Sequence, residues 1–107
     1  MQRHAIAIEL DYLGQPYDIC RIIWLELRER MVLAGFRMEG RLFTIAMPRD
    51  EAVQLARSTL EGIAEEMPLP AETIYTYIRD FYCFDHATFV NLLYPAIDAT
   101  AFQIEEQ

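Results

Sequence analysis

The stretch Thr73–Phe89, TIYTYIRDFYCFDHATF, constrains this chain more than any other. Aromatic and β-branched residues fill it without a glycine or proline, so Thr73–Phe84 reads as one long strand. A strand of that length exceeds what closing one sheet requires, and the surplus predicts pairing with another chain. Asp85 then suits the N-cap of a short helix, His86–Leu93, which Pro95 limits. The tail Ala96–Gln107 has room for one more strand, Thr100–Ile104.

Upstream, His4–Leu10 alternates, with Ile6, Ile8 and Leu10 on one face and Ala5, Ala7 and Glu9 on the other. Gly14-Gln15-Pro16 is a turn signal. Tyr17–Ala34 has a helical stripe of Ile19, Ile23, Leu27, Met31 and Ala34, with Ile22 and Val32 beside it, and Gly35 suits its stop. Glu39-Gly40 divides the next segment into two hairpin strands, Phe36–Met38 and Arg41–Met47. Pro48 opens a second helix, with Asp50 and Glu51 at its positive end, and Pro68-Leu69-Pro70 closes it after Met67.

The order is β-α-β-β-α-β with an added short C-terminal helix. This predicts an α+β, ferredoxin-like βαββαβ sandwich. At 107 residues it is one domain, 1–107, with its core over 4–93 and a tail over 94–107. A domain of this size buries roughly 60–70% of its unfolded surface, enough for a core without disulfides or metal. Both helices would cover one sheet face. Tyr75, Tyr77, Phe81 and Cys83 are assigned to the other, too apolar to stay wet, which predicts a homodimer packed sheet against sheet.

No apolar run approaches the roughly 20 residues of a membrane span, and MQRHAIAIEL lacks the features of a signal peptide. Cys20 and Cys83 are far apart in sequence and read as buried thiols in a reducing, cytoplasmic compartment. The net charge of −8 is uneven: residues 1–57 hold eight arginines and eight acids, residues 58–107 one arginine and nine acids. General affinity for nucleic acid is not expected from such a field, and any handling of it falls to the arginine-bearing half.

Four segments together resemble the virulence-associated protein D family. They are AIAIEL (Ala5–Leu10), LRERMVLAGF (Leu27–Phe36), Gly40 with the β run Arg41–Ile45, and RDFYCFDHATF (Arg79–Phe89). In the last, Arg79, Phe81, Asp85 and Phe89 stand in step with the family pattern. The resemblance covers residues 5–93 and implies a ferredoxin-like homodimer with endoribonuclease activity, in some members as the toxin of a toxin–antitoxin pair. The chain departs from the family at three polar positions: Glu9 stands for an Asp, Tyr77 for an Asp and Arg41 for a Ser.

Glu9 and Asp11 alternate on the first strand. Doubled across a dimer axis, such carboxylates could hold Mg²⁺ and activate water for phosphodiester cleavage. The alternative is an ion pair, because a ferredoxin-like sheet sets the last strand beside the first and brings Arg79 near Glu9. Glu9, Asp11 and Arg79 are thus the candidate catalytic set, with Glu9 the metal ligand. Arg37 and Arg41 flank the hairpin turn and are candidates for gripping RNA phosphate, or strand ends paired with Glu39. His4 and His86 are the only histidines, each a candidate acid or base, or a surface group. Tyr75, Tyr77, Phe81 and Tyr82 suit either base stacking or a dimer interface. The non-catalytic alternative is a homodimeric interaction protein whose acidic half meets a protein partner such as an antitoxin.

Overall fold

The computed structural model describes residues 2–85. The elements are β1 (Arg3–Leu10), α1 (Tyr17–Leu33), β2 (Arg37–Glu39), β3 (Leu42–Ala46), α2 (Arg49–Glu66), a 3-10 turn (Ile74–Tyr77) and β4 (Ile78–Asp85). The four strands form one antiparallel sheet in the order β2-β3-β1-β4. This is the ferredoxin-like α+β arrangement. The expected helix His86–Leu93 and strand Thr100–Ile104 lie outside the described residues.

Helical spacing builds the core. Cys20, Ile23, Leu27 and Met31 of α1 and Ala52, Ala56, Leu60 and Ile63 of α2 are buried. They meet Ile6, Ile8, Leu10, Phe43 and Ile45 from the sheet. Arg30 joins the two helices, reaching Glu26 at 2.9 Å and Glu66 at 2.6 Å. Ile22 and Val32, expected beside the inner stripe, are instead 52% and 51% exposed. The stripe is narrower than the apolar content of α1 suggests. No helix among the described residues is long and apolar enough to cross a membrane.

α1 ends in a Schellman motif. The Gly35 N–H donates to Val32 O and the Phe36 N–H to Met31 O, both at 3.0 Å. Gly35 has φ +115°, a region L side chains rarely adopt, while a Cβ there would meet only ordinary contact with Ile45 at 3.6 Å. The cost of a side chain therefore lies in the backbone. Gly35→Ala is expected to lower stability by about 1–3 kcal/mol, read from urea unfolding. An unchanged midpoint would show that the motif relaxes freely.

The stretch expected as one strand, Thr73–Phe84, divides at Ile78. The Thr73 hydroxyl accepts from the Tyr75 N–H at 3.3 Å and caps the 3-10 turn. Tyr77 is buried at 2% exposure, and its hydroxyl accepts from the Ala71 N–H at 3.0 Å. Tyr75, Phe81 and Cys83 pack against the same helix-covered core. None of the four therefore lies on the opposite sheet face. That face carries Ala5, Ala7, Leu42 and Phe84 in a second apolar cluster, with Tyr82 half-exposed. Of the thiols, Cys20 is buried and Cys83 partly so, both free.

Tyr75 donates to Glu61 at 2.9 Å and stacks on Phe81 at 6.4 Å. Burial first, and this hydrogen bond second, push its pKa from 10.0 up to about 12. The folded protein thus holds this proton to higher pH than the unfolded chain does. Its contribution is fully present below pH 10 and is lost as pH rises towards about 12. Tyr75→Phe is expected to flatten stability against pH in that window. A curve superposing on the parent's would remove Tyr75 as the cause.

Candidate functional site

β1 is longer than its neighbour. It pairs with β3 only over Arg3–Ala7, and with β4 from His4 to Leu10. Beyond Ala7, β1 therefore has a strand on one side only among the described residues, and the sheet is notched. α1, the loop after β1 and the hairpin turn close this notch into a pocket of about 490 Å³. Its charged and aromatic lining is Glu9, Tyr12, Trp24, Arg41, Arg79 and Tyr82.

A bulge sets the geometry of Arg79. Glu9 pairs with Asp80 and Leu10 with Ile78, so Arg79 is the extra residue on β4. Bulges re-aim side chains, and here Ile78 and Phe81, three apart, both pack on the core. Arg79 reaches Glu9 at 2.7 Å and Asp80 at 3.2 Å. Asp80, and then Glu9, hold its guanidinium protonated even more firmly than usual. The ion pair expected from strand adjacency is present.

Asp11 does not join Glu9. It lies past the end of β1, and its carboxylate accepts from the Gly14 N–H at 3.0 Å. A Cβ on Gly14 would clash with that carboxylate, so the turn closes tightly around Asp11. Alternation along the strand cannot be extended through a turn. Among the described residues no three of His, Cys, Asp and Glu come together. With Glu9 held by Arg79 and Asp11 by the turn, the described residues of one chain do not fit Mg²⁺.

The two hairpin arginines separate. Arg37 lies 3.9 Å from Glu39, as a strand-end pair. Glu39 in turn accepts from the buried Thr44, to which Arg3 also donates at 3.0 Å. Arg41 faces the notch, and among the described residues it forms no ion pair or hydrogen bond. His4 is remote from the notch, with Nδ1 2.9 Å from Met47 O.

Tyr12 and Trp24 also line the notch, and sequence reasoning missed both. Burial first, then Cys20 and Tyr17, raise the Tyr12 pKa, while Arg21 and Arg41 pull it down. The hydroxyl therefore stays protonated near neutral pH and remains a donor. Its ring packs on Tyr17 at 5.3 Å. Trp24, the single tryptophan, leans on Phe43 at 5.8 Å. A lone Trp beside an apolar stripe was the available signal, since a residue that large at the stripe's margin borders a cavity or an interface. No family model, curated protein or solved structure matches this chain.

Proposed function

We propose that the chain is an endoribonuclease of the virulence-associated protein D type, and that its site is the notch at the end of β1. One observation carries this reading: a carboxylate and two arginines share a pocket of about 490 Å³ walled by aromatic rings. Arg41, which has no ion pair among the described residues, serves as a cation for a phosphate. Arg79 holds the Glu9 carboxylate in place at 2.7 Å.

The chemistry this set suits is transfer within RNA. Glu9 takes the proton of a ribose 2′-hydroxyl, and that oxygen attacks the adjacent phosphorus. The bond from phosphorus to the 5′-oxygen breaks, and the leaving oxygen takes the Tyr12 proton. Arg41 offsets the charge gathering on the phosphoryl oxygens. The products are a 2′,3′-cyclic phosphate and a 5′-hydroxyl. The described donors of one chain supply no step through Mg²⁺. The reading includes action in the cytoplasm, as a homodimer, with a protein antitoxin as one form of control.

The test is cleavage of an end-labelled RNA with Mg²⁺, with Mn²⁺ or with EDTA. Cleavage in EDTA leaving cyclic-phosphate ends is expected. A strict need for metal would overturn this chemistry, and intact RNA in every condition would overturn the activity.

A second reading is a non-catalytic homodimer on the same scaffold. The second apolar cluster of Ala5, Ala7, Leu42 and Phe84, with the half-exposed Tyr82 beside it, favours it. Light scattering decides the dimer, and a monomer would end that reading.

A further inference from the structure

Resting on the endoribonuclease reading, we infer that the notch admits one unstacked nucleotide of single-stranded RNA and excludes duplex.

Size comes first. A pocket of about 490 Å³ falls within the range of roughly 300–1,000 Å³ typical of small-molecule sites. It takes one nucleotide and not a stacked helical segment. A duplex keeps its bases paired and stacked, so none is free to enter such a recess.

The lining divides as a nucleotide does. Tyr12 and Tyr82 offer ring faces to a base, and both are exposed, at 39% and 55%. Arg41 takes the phosphate, having no carboxylate partner among the described residues. Ala7, Leu10 and Leu42 supply apolar floor. The free side of β1 adds backbone polar groups. Among the described residues no strand pairs with Ile8–Leu10 on the notch side, and although the Leu10 C=O already accepts from the Tyr12 N–H at 3.0 Å, this edge can present backbone polar groups to the hydrogen-bonding edge of a base.

Charge fits locally though not globally. The chain carries −8, but the notch lining holds Arg41 and Arg79 against Glu9, with Asp80 3.2 Å from Arg79. That is close to neutral, with Arg41 placed for one phosphate. One such contact cannot hold a duplex by its backbone alone, since non-specific duplex binding depends on several phosphate contacts. Binding here must come mainly from base contacts.

Trp24 makes the test direct, because it is the single tryptophan and lines the notch. Its emission is followed while the full chain is titrated with a 2′-O-methyl oligoribonucleotide, single-stranded or annealed to its complement. The 2′-O-methyl group removes the attacking hydroxyl, so binding is read apart from cleavage. Saturation is expected with the single strand, at a Kd about tenfold or more below that of the duplex. Arg41→Gln and Tyr82→Leu are each expected to weaken the single strand about tenfold. Both positions are exposed, so both variants should fold, which circular dichroism checks.

Equal Kd values for the two forms, or no effect of either substitution, would overturn the inference. So would saturation by an extended peptide alone, which would make the free edge of β1 a peptide-pairing site. Binding of the single strand without cleavage of the unmodified RNA would end the nuclease reading and leave this inference standing. Cleavage of duplex and single strand alike would do the reverse.

Discussion

Phe43→Ala is expected to lower the unfolding free energy by about 3–5 kcal/mol, the usual range for emptying an aromatic core position. Phe43 is fully buried in β3 and stands opposite Ile6 on one side and Met38 on the other. It meets Trp24 of α1 with ring centroids 5.8 Å apart and planes at 54°. It therefore joins the sheet to the first helix at the middle of the core. Few neighbours can collapse into the space, because the flanking strands are fixed by hydrogen bonds. Small domains are stable by about 5–15 kcal/mol, so the loss is a large share of the total. Urea unfolding followed by Trp24 emission reads both the stability and the local repacking. Phe43→Leu should cost clearly less, since it keeps most of the volume. A loss below about 1 kcal/mol for the alanine would mean that Phe43 does not hold the two layers together.

The helices and the hairpin were legible because their signals are local. Proline before each helix, Gly35 after the first and Gly40 in the hairpin mark boundaries by backbone geometry alone. What failed was the assignment of faces on the last strand. Phe81 and Cys83 alternate with Tyr82 and Phe84, and both sets are apolar. Period two gives two faces, but it does not say which one the helices cover. The bulge at Arg79 then breaks the period, so counting from Tyr75 carries no information past it. The 3-10 turn was hidden for a related reason. Ile74-Tyr75-Thr76-Tyr77 has strand-like composition, and the turn is held by the Thr73 cap, the Thr76 N–H donating to Thr73 O at 3.1 Å and the Tyr77 hydroxyl accepting from Ala71.

The site was legible in part. Adjacency of the first and last strands follows from the fold plan, and it brought Glu9 and Arg79 together as expected. The notch did not follow, because it depends on β3 stopping at Leu42 while β1 runs on to Leu10. Relative strand length is a tertiary outcome that no single segment encodes. Asp11 was misplaced because the strand ends one residue before it. Arg41 was found, and its position at the notch separates it from Arg37, which the sequence had treated as its equal.

Glu9→Gln is expected to reduce RNA cleavage by about 10²–10⁴-fold, the range associated with a lost general base. Glutamine has nearly the same shape and can still accept a hydrogen bond from Arg79, but it cannot take a proton from a 2′-hydroxyl. The fold should barely notice, because the Glu9–Arg79 pair is about half-exposed, and pairs open to solvent contribute little. The result that matters is this split between activity and stability. Loss of cleavage with an unchanged unfolding midpoint places the chemistry at Glu9. Loss of both would mean that the pair is structural and that the activity fell with the fold. Arg79→Lys sharpens the distinction, since lysine keeps the charge but not the fork that reaches Glu9 and Asp80 together. If Arg79 acts by holding Glu9, the double variant should cleave no more slowly than Glu9→Gln alone, as expected of residues that work as one unit. If instead the losses multiply, Arg79 acts on the phosphate independently. Cleavage that survives Glu9→Gln intact would remove the notch from the mechanism.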